Sequence, residues 1–309
     1  MSIVYSILGI SRQAHHQQQQ RSRQKRMLED ELLAKVHAVR QRHPRMGARK
    51  IFEILGPDSI GVNAFERLLA AKGLNVPRQR SAVRTTLRSA DGHLLSNLTH
   101  GLELNNIDQL WVCDISYLID QRSIYYLSHI LDVYSRRLLA VGISQTMRAE
   151  ENLALLHRSL NLRKPSRQAG LIHHSDAGSQ YTSKEYCLRL AKAGIRISIA
   201  ETCLQNAYSE RLNGTLKNEY LLPGVPRPSS LSQWQDRLES VAWLYNYERP
   251  HQELQYRTPV AFEEHVTLLP AEQRPVLRLH DFLSTDKSTS PETPPSSKET
   301  GDTSCQPIS

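Results

Sequence analysis

Cysteine is scarce in this chain, and what there is does not pair. Cys113, Cys187, Cys203 and Cys305 include no Cys-x-x-Cys spacing. That excludes a zinc-finger or disulfide framework and fits a reducing cytoplasm. Long apolar runs are missing as well. No stretch approaches the ~18 consecutive apolar residues of a membrane helix, so no membrane is expected as a partner. The opening MSIVYSILGI lacks the basic leader and small-residue cleavage site of a secretory signal. Acidic residues are few at the front: residues 1–90 hold 17 Lys and Arg against 6 Asp and Glu, a surplus of 11, whereas the whole chain carries +8. The remainder is therefore slightly acidic. A basic front on a near-neutral body points to a polyanion held by the front; a solubilising surface is the plainer reading of the same charge.

Taken in order, residues 1–26 read as a leader. His15 and His16 stand beside the run Gln17–Gln20. Neighbouring histidines on a helix point in different directions and no further ligand is spaced to help, so a solvated surface is expected. Residues 27–74 carry three short helical patterns, over 27–41, 48–55 and from about 61 to 72, broken by Pro44 and Gly47 and by Gly56-Pro57-Asp58. Leu32, Val36, Ile51, Leu55, Phe65 and Leu69 make their common core. The spacing suits helix-turn-helix geometry, as it would any three-helix bundle. Arg45, Arg49, Lys50, Arg67 and Lys72 are the candidate phosphate contacts there. Residues 75–107 form a basic linker in which Arg78, Arg80 and Arg84 could order on a DNA backbone. Strands are expected at 110–119, 123–133, 138–144, 171–174 and 195–199, and helices at 149–160, 184–193 and 206–220. This βββαβαβα order predicts an α/β domain over 108–222, a mixed sheet with helices on both faces. Residues 223–283 read as a helical extension. Residues 284–309 are rich in Ser, Thr, Pro and Glu and need not fold.

Three carboxylates stand out in three different settings. Asp114 interrupts the apolar strand WVCDISYLI, with Cys113 and Ile115 on the opposite face. A buried unpaired carboxylate is costly, and a metal removes that cost; a partly exposed edge-strand Asp is the alternative. Asp176 follows the strand ending in Ser175, at the turn Ala177-Gly178-Ser179, and turn Asp is a common role in itself. Glu210 begins a helical face shared with Asn213, Gly214 and Lys217, which is also how an ordinary surface helix reads. Brought together, such carboxylates suit Mg²⁺, a hard cation that takes oxygen ligands, and two such ions serve phosphoryl transfer. Asp108, Asp120 and Asp132 read as turn or hairpin residues. His173 and His174 have no further ligands spaced for zinc; orienting the loop or touching a phosphate suits them better.

The words WVCDISYL, ILDVYSRRLLA, HHSDAGSQYTSKEY, NAYSERLNGTLKNEYL and YNYERPHQELQYRTPVAFE occur in this order over roughly residues 108–265. Together they resemble the catalytic core of the IS3-type insertion-sequence transposases, in the retroviral-integrase superfamily. HPRMGARKIFEIL and GVNAFERLLAAKGL resemble the small helix-turn-helix-like module preceding that core. The resemblance implies an RNase H-like fold and an Asp-Asp-Glu triad of Asp114, Asp176 and Glu210, with Asp114 bridging two Mg²⁺ (or Mn²⁺) ions. Lys217 and Asn213 would face the DNA. The activity implied is a DDE polynucleotidyl transferase that cuts 3′ ends and joins strands. The implied partners are double-stranded DNA, both the element's terminal inverted repeats and the target, an upstream-frame protein or a frameshift fusion with it, and further copies of the chain on DNA, in a bacterial cytoplasm. The chain begins where the second frame of such an element would begin, so most sequence recognition is expected from the upstream protein. Residues 1–90 are expected to supply most affinity for DNA of any sequence. Between Asp176 and Glu210 the chain is two residues shorter than is usual in the family, the deficit falling in residues 200–205, where Glu201 is an alternative ligand. An RNase H-like nuclease, or a transposase-derived protein that only binds DNA, are the rival readings.

Overall fold

The computed structural model describes residues 11–77, 96–120, 123–163, 170–200, 203–221 and 227–279. Arg78, Arg80, Arg84, Glu201 and residues 284–309 lie outside them.

The front opens with one long helix, α1 (Arg12–Arg42), capped by the Ser11 side chain, which accepts from the N–H of Ala14. The helix expected over 27–41 runs back through the glutamines to Arg12. No Gly or Pro interrupts residues 12–42, and Gln and Arg are good helix formers, so propensity carries the helix without an apolar stripe. At ~1.5 Å per residue its 31 residues reach about 46 Å. Only its C-terminal part packs: Leu32 and Val36 join Met46, Ile51, Phe65 and Leu69 in a small core with α2 (Ala48–Leu55) and α3 (Val62–Ala71).

The larger unit is a five-stranded sheet. β1 (Glu103–Leu104) lies outside it and pairs with β7 (Leu277–Arg278), a two-residue contact too short to leave a periodic signal. β2 (Leu110–Asp120), β3 (Ser123–Asp132) and β4 (Leu138–Ser144) form the expected antiparallel meander. After α4 (Ala149–Leu162), β5 (Ile172–Ser175) returns to pair in parallel with β2 on its other edge. α5 (Ser179–Thr182) and α6 (Lys184–Lys192) then lead to β6 (Arg196–Ile199), parallel to β5. The order in space is β4-β3-β2-β5-β6, so β2 is central. This is the mixed RNase H-like sheet expected, preceded by the small helical module.

Period-two alternation along β2 divides the core. Trp111 and Cys113 face Leu155, Leu156 and Leu190 of α4 and α6. Leu110, Val112 and Leu118 face the other layer, where α7 (Ala207–Thr215) and α8 (Leu231–Tyr247) bring Leu212, Trp234, Leu238 and Val241. α7 does not run on as a plain α-helix. Its last turn and a half, Leu216–Leu221, is π-helical. π-turns are rare and occur often at functional sites. α9 (Pro259–Leu268) closes the fold with Phe262 and Val266. Asn246 of α8 acts as a short surrogate strand: its side chain accepts from the N–H of Leu138 at 2.9 Å and donates to the Leu138 carbonyl at 2.8 Å.

Candidate active site

Asp114 sits in the middle of β2, on the face that α7 covers. Its partner across β3 is His129. Asn213 of α7 donates to Asp114 Oδ2 at 2.8 Å and accepts from the Ser116 hydroxyl at 2.8 Å. Asn206, two turns earlier, donates to the Cys113 carbonyl at 2.9 Å. Two buried asparagines thus pin the helix that carries Glu210 to the strand that carries Asp114. Buried amides hold such contacts because an unmade hydrogen bond there is costly.

Asp176 follows β5, whose Ile172–His174 run beside Leu110–Val112 of β2. Continued two residues on, that register would set Asp176 beside Asp114, and the Asp176 charge does act on the Asp114 carboxyl. The Asp176 carboxylate accepts the N–H of Gly178 at 3.0 Å. A Cβ on Gly178 would come within 2.8 Å of that same carboxylate oxygen and of the Gln180 amide oxygen, so a side chain here would displace one or both. Glu210 lies in the first turn of α7 and is exposed.

The electrostatics link these groups. Burial, then the charges of Asp176 and Glu210, push the Asp114 carboxyl up to about 7, while Lys217, in the π-turn, pulls it down. Burial raises Glu210 as well. His129 is buried opposite Asp114 and pushed down to about 3, by burial first and then by the Lys217 charge. Asp114 therefore feels Asp176, Glu210 and Lys217. Among the described residues, no group of three or more His, Cys, Asp or Glu side chains is drawn together closely enough to hold a metal ion.

Both histidines of HHSD are inside. His173 contacts the Tyr186 hydroxyl at 3.0 Å and His174 the Ser198 hydroxyl at 2.8 Å. Burial pushes their pKa values down to about 3 and about 4, so they are neutral near pH 7 and hold the strand instead of contacting phosphate. Asp132 holds the hairpin as expected, accepting from the N–H and hydroxyl of Ser135 and the N–H of Asp108. Arg136 and Arg137, in the same hairpin, pair with Glu253 and Glu263. Arg211 also pairs with Glu253, at 2.9 Å.

The basic candidates of the front divide. Arg67 and Lys72 are exposed. Arg49 pairs with Glu66 at 3.0 Å inside the module, and Arg45 donates to the Pro77 carbonyl at 3.3 Å. Lys50 points into the body of the protein, to Glu219 at 3.0 Å. Sequence reasoning missed this: the charges were legible, but the partner lies 169 residues away. It also missed the π-turn and the neutral, buried His129, which no local pattern marks.

Comparison with known proteins agrees with this architecture. Two family descriptions, both titled Integrase core domain, match residues 105–203 and 193–259. A putative transposase for insertion sequence element IS986/IS6110 of Mycobacterium tuberculosis is 32% identical over 248 residues, covering 75% of this chain and 86% of the relative. The transposase for IS629 of Shigella sonnei is 29% identical over 259 residues, covering 82% and 84%. Among solved structures, the HTLV-2 integrase catalytic core domain in complex with magnesium aligns with TM-score 0.40 at 18% identity, covering 51% of this chain and 97% of that one. The 32% identity over 75% of the chain settles the assignment: the chain belongs to the IS3-type insertion-sequence transposases, polynucleotidyl transferases of the DDE class built on the integrase core domain.

Proposed function

We propose that this protein cuts DNA at the ends of its insertion element and joins the resulting 3′-hydroxyl to target DNA, with Asp114, Asp176 and Glu210 holding two Mg²⁺ (or Mn²⁺) ions. One observation carries the reading: a carboxylate in mid-strand is raised to about 7 by burial first and then by two further carboxylates, and is lowered by a lysine. Such a group is costly to ionise, and a bound cation removes that cost. The donors are all oxygen, as a hard divalent ion requires. When bound, the metal stabilises the attacking and leaving oxygens at phosphorus.

The chain's own residues do the positioning. Asn213 fixes the Asp114 carboxylate and, through Ser116, the strand beneath it. The N–H of Gly178 fixes Asp176. Glu210 remains open to solvent on a helix that Asn206 holds in place, so it can close on the site when DNA arrives. Lys217 would neutralise charge gathering on the phosphate. The working partners on this reading are the element's terminal inverted repeats, target DNA, the upstream-frame protein or a fusion with it, and further copies of the chain on DNA.

The test is a duplex oligonucleotide ending in the element's terminal repeat, incubated with the purified chain. With Mg²⁺ or Mn²⁺ a nicked 3′ end and joined products are expected, and EDTA should remove both. DNA binding without any such product would leave a protein that only binds DNA; products that persist in EDTA would remove the metals from the reaction.

Phosphate contacts are assigned to the exposed Arg67 and Lys72, with Arg78, Arg80 and Arg84 beyond the described residues. Each contact releases counterions, so the Arg67→Ala/Lys72→Ala double variant should flatten the log–log salt dependence of duplex binding by about two. An unchanged slope would mean that neither touches the backbone.

A further inference from the structure

Lys50 and His43 lie in the front module, yet both end on the same turn of the catalytic helix. Lys50 Nζ donates to Glu219 Oε1 at 3.0 Å. The same carboxylate takes two bonds from Arg249, each at 2.8 Å. His43 is buried, with Nδ1 at 2.9 Å from the Tyr220 hydroxyl and Nε2 at 3.2 Å from Glu248. Arg42 adds a pair with Glu248 and lies over the Trp243 ring, 5.7 Å from its centroid. Glu219 and Tyr220 belong to the π-turn Leu216–Leu221. That turn also carries Lys217, whose charge acts on Asp114 and His129.

We propose that Lys50 and His43 are positioning residues of the transferase: by gripping Glu219 and Tyr220 they hold the π-turn so that Lys217 faces Asp114. This rests on the reading of the Asp114 site given above. A π-turn has an extra residue per turn and looser hydrogen bonding than the α-helix around it. Such a turn keeps its register only if its side chains are held. Leu216 and Tyr220 are held by the core, while Glu219 is held from one side by Arg249 and from the other by Lys50. With Lys50 removed, Glu219 keeps Arg249 but loses the partner that ties it to the module. The module thereby becomes part of the catalytic unit, and DNA seated on its outer surface has a mechanical route to the active site. The grip also accounts for the word YNYERPHQ: Arg249 and Glu248 form the floor of the socket in which the module sits.

The experiment uses the full chain and the terminal-repeat duplex with Mg²⁺. It compares Lys50→Gln, Lys50→Arg, Lys217→Ala and the Lys50→Gln/Lys217→Ala double variant, with Asp114→Asn as the inactive reference. A misplaced group costs about tenfold to a hundredfold in rate, so Lys50→Gln should lower kcat by that much. KM for DNA and the salt slope should stay unchanged, and Lys50→Arg should restore most of the rate. In the Lys217→Ala background the same Lys50→Gln change should cost little further, because a residue acting through Lys217 is not additive with its loss. Wild-type kcat in Lys50→Gln overturns the proposal. So does a salt slope lowered by about one, the mark of a phosphate contact, or an equal loss with and without Lys217, the mark of a merely structural pair. Wild type no more active than Asp114→Asn would overturn the site reading itself and this inference with it, which separates the two failures.

Discussion

Asp114→Asn should abolish Mg²⁺-dependent cutting and joining, on the order of a thousandfold or more, given that one preorganised electrostatic contact in an active site is already worth about a hundredfold to a thousandfold. The change is isosteric. The amide oxygen at position 114 can still accept from Asn213, so α7 stays pinned to β2. DNA affinity should stay near wild type, because the cations assigned to phosphate lie elsewhere. Stability should rise at neutral and alkaline pH. The folded-state pKa of Asp114, about 7, stands above its ordinary value of 3.8. Its contribution to stability is therefore fully present below about pH 4 and is lost as pH rises through 7, where the folded protein must carry the ionised group. Asn removes that loss, so the melting-temperature advantage of the variant over the metal-free wild type should be larger at pH 8 than at pH 5. A variant that binds DNA poorly, or melts lower than wild type at pH 8, would mark Asp114 as a structural charge.

Glu263→Ala should cost about 3–5 kcal/mol of folding stability, the range for breaking a buried ion pair from one side. Glu263 of α9 is buried and meets three side chains from other parts of the fold. Arg163, at the end of α4, gives it two hydrogen bonds, at 2.5 and 3.1 Å; Ser135 gives one at 2.7 Å, and Arg137 gives another. Arg163 is buried too and also pairs with Asp108 at 3.1 Å. Removing the carboxylate strands two guanidinium groups with one buried acid fewer, at the junction of α9, α4 and the β3–β4 turn. Arg163 and Arg137 hold the Glu263 carboxyl below its ordinary value despite burial. Its stabilisation is therefore present above pH 4.5 and is lost as pH falls through the folded value, so the variant and wild type should converge in acid. Urea unfolding at pH 7 and down the acid limb to about pH 2, below the lowered folded value, checks both points. A loss under about 1 kcal/mol at pH 7 would put the pair in the class of solvated surface bridges.

These two residues show what could be read from the chain and what could not. Asp114 was legible because a strand has a strict period: in WVCDISYLI a charged side chain at an even position must share a face with Val112, whatever the rest of the chain does. The same period, with short polar loops, located β3 and β4 closely. Glu263 was not legible. In PVAFEE it is one of two adjacent acids on a helix, and only the arrival of Arg163 and Arg137, separated from it by 100 and 126 residues, makes it buried. Asp108, read as a turn residue, does sit at a left-handed φ of 60°, but its ion pair with Arg163 depends on the same distant packing.

The sequence by itself determined the order of strands and helices in the sheet, the faces on which Asp114, Cys113 and the core leucines lie, the basic character of the front and the kinship of the chain. All of these follow from short-range periodicity, charge and ordered words. Tertiary structure alone decided where the charges go. It turned Lys50 inward to Glu219, gave Arg211 to Glu253, hid His129, His173 and His174 as neutral rings, and wound Leu216–Leu221 into a π-turn. The physical reason is range. Backbone periodicity is set by neighbours a few residues apart, whereas the partner of a long cationic side chain is whichever acid the folded chain delivers within about 4 Å, and that acid can be any distance away in sequence.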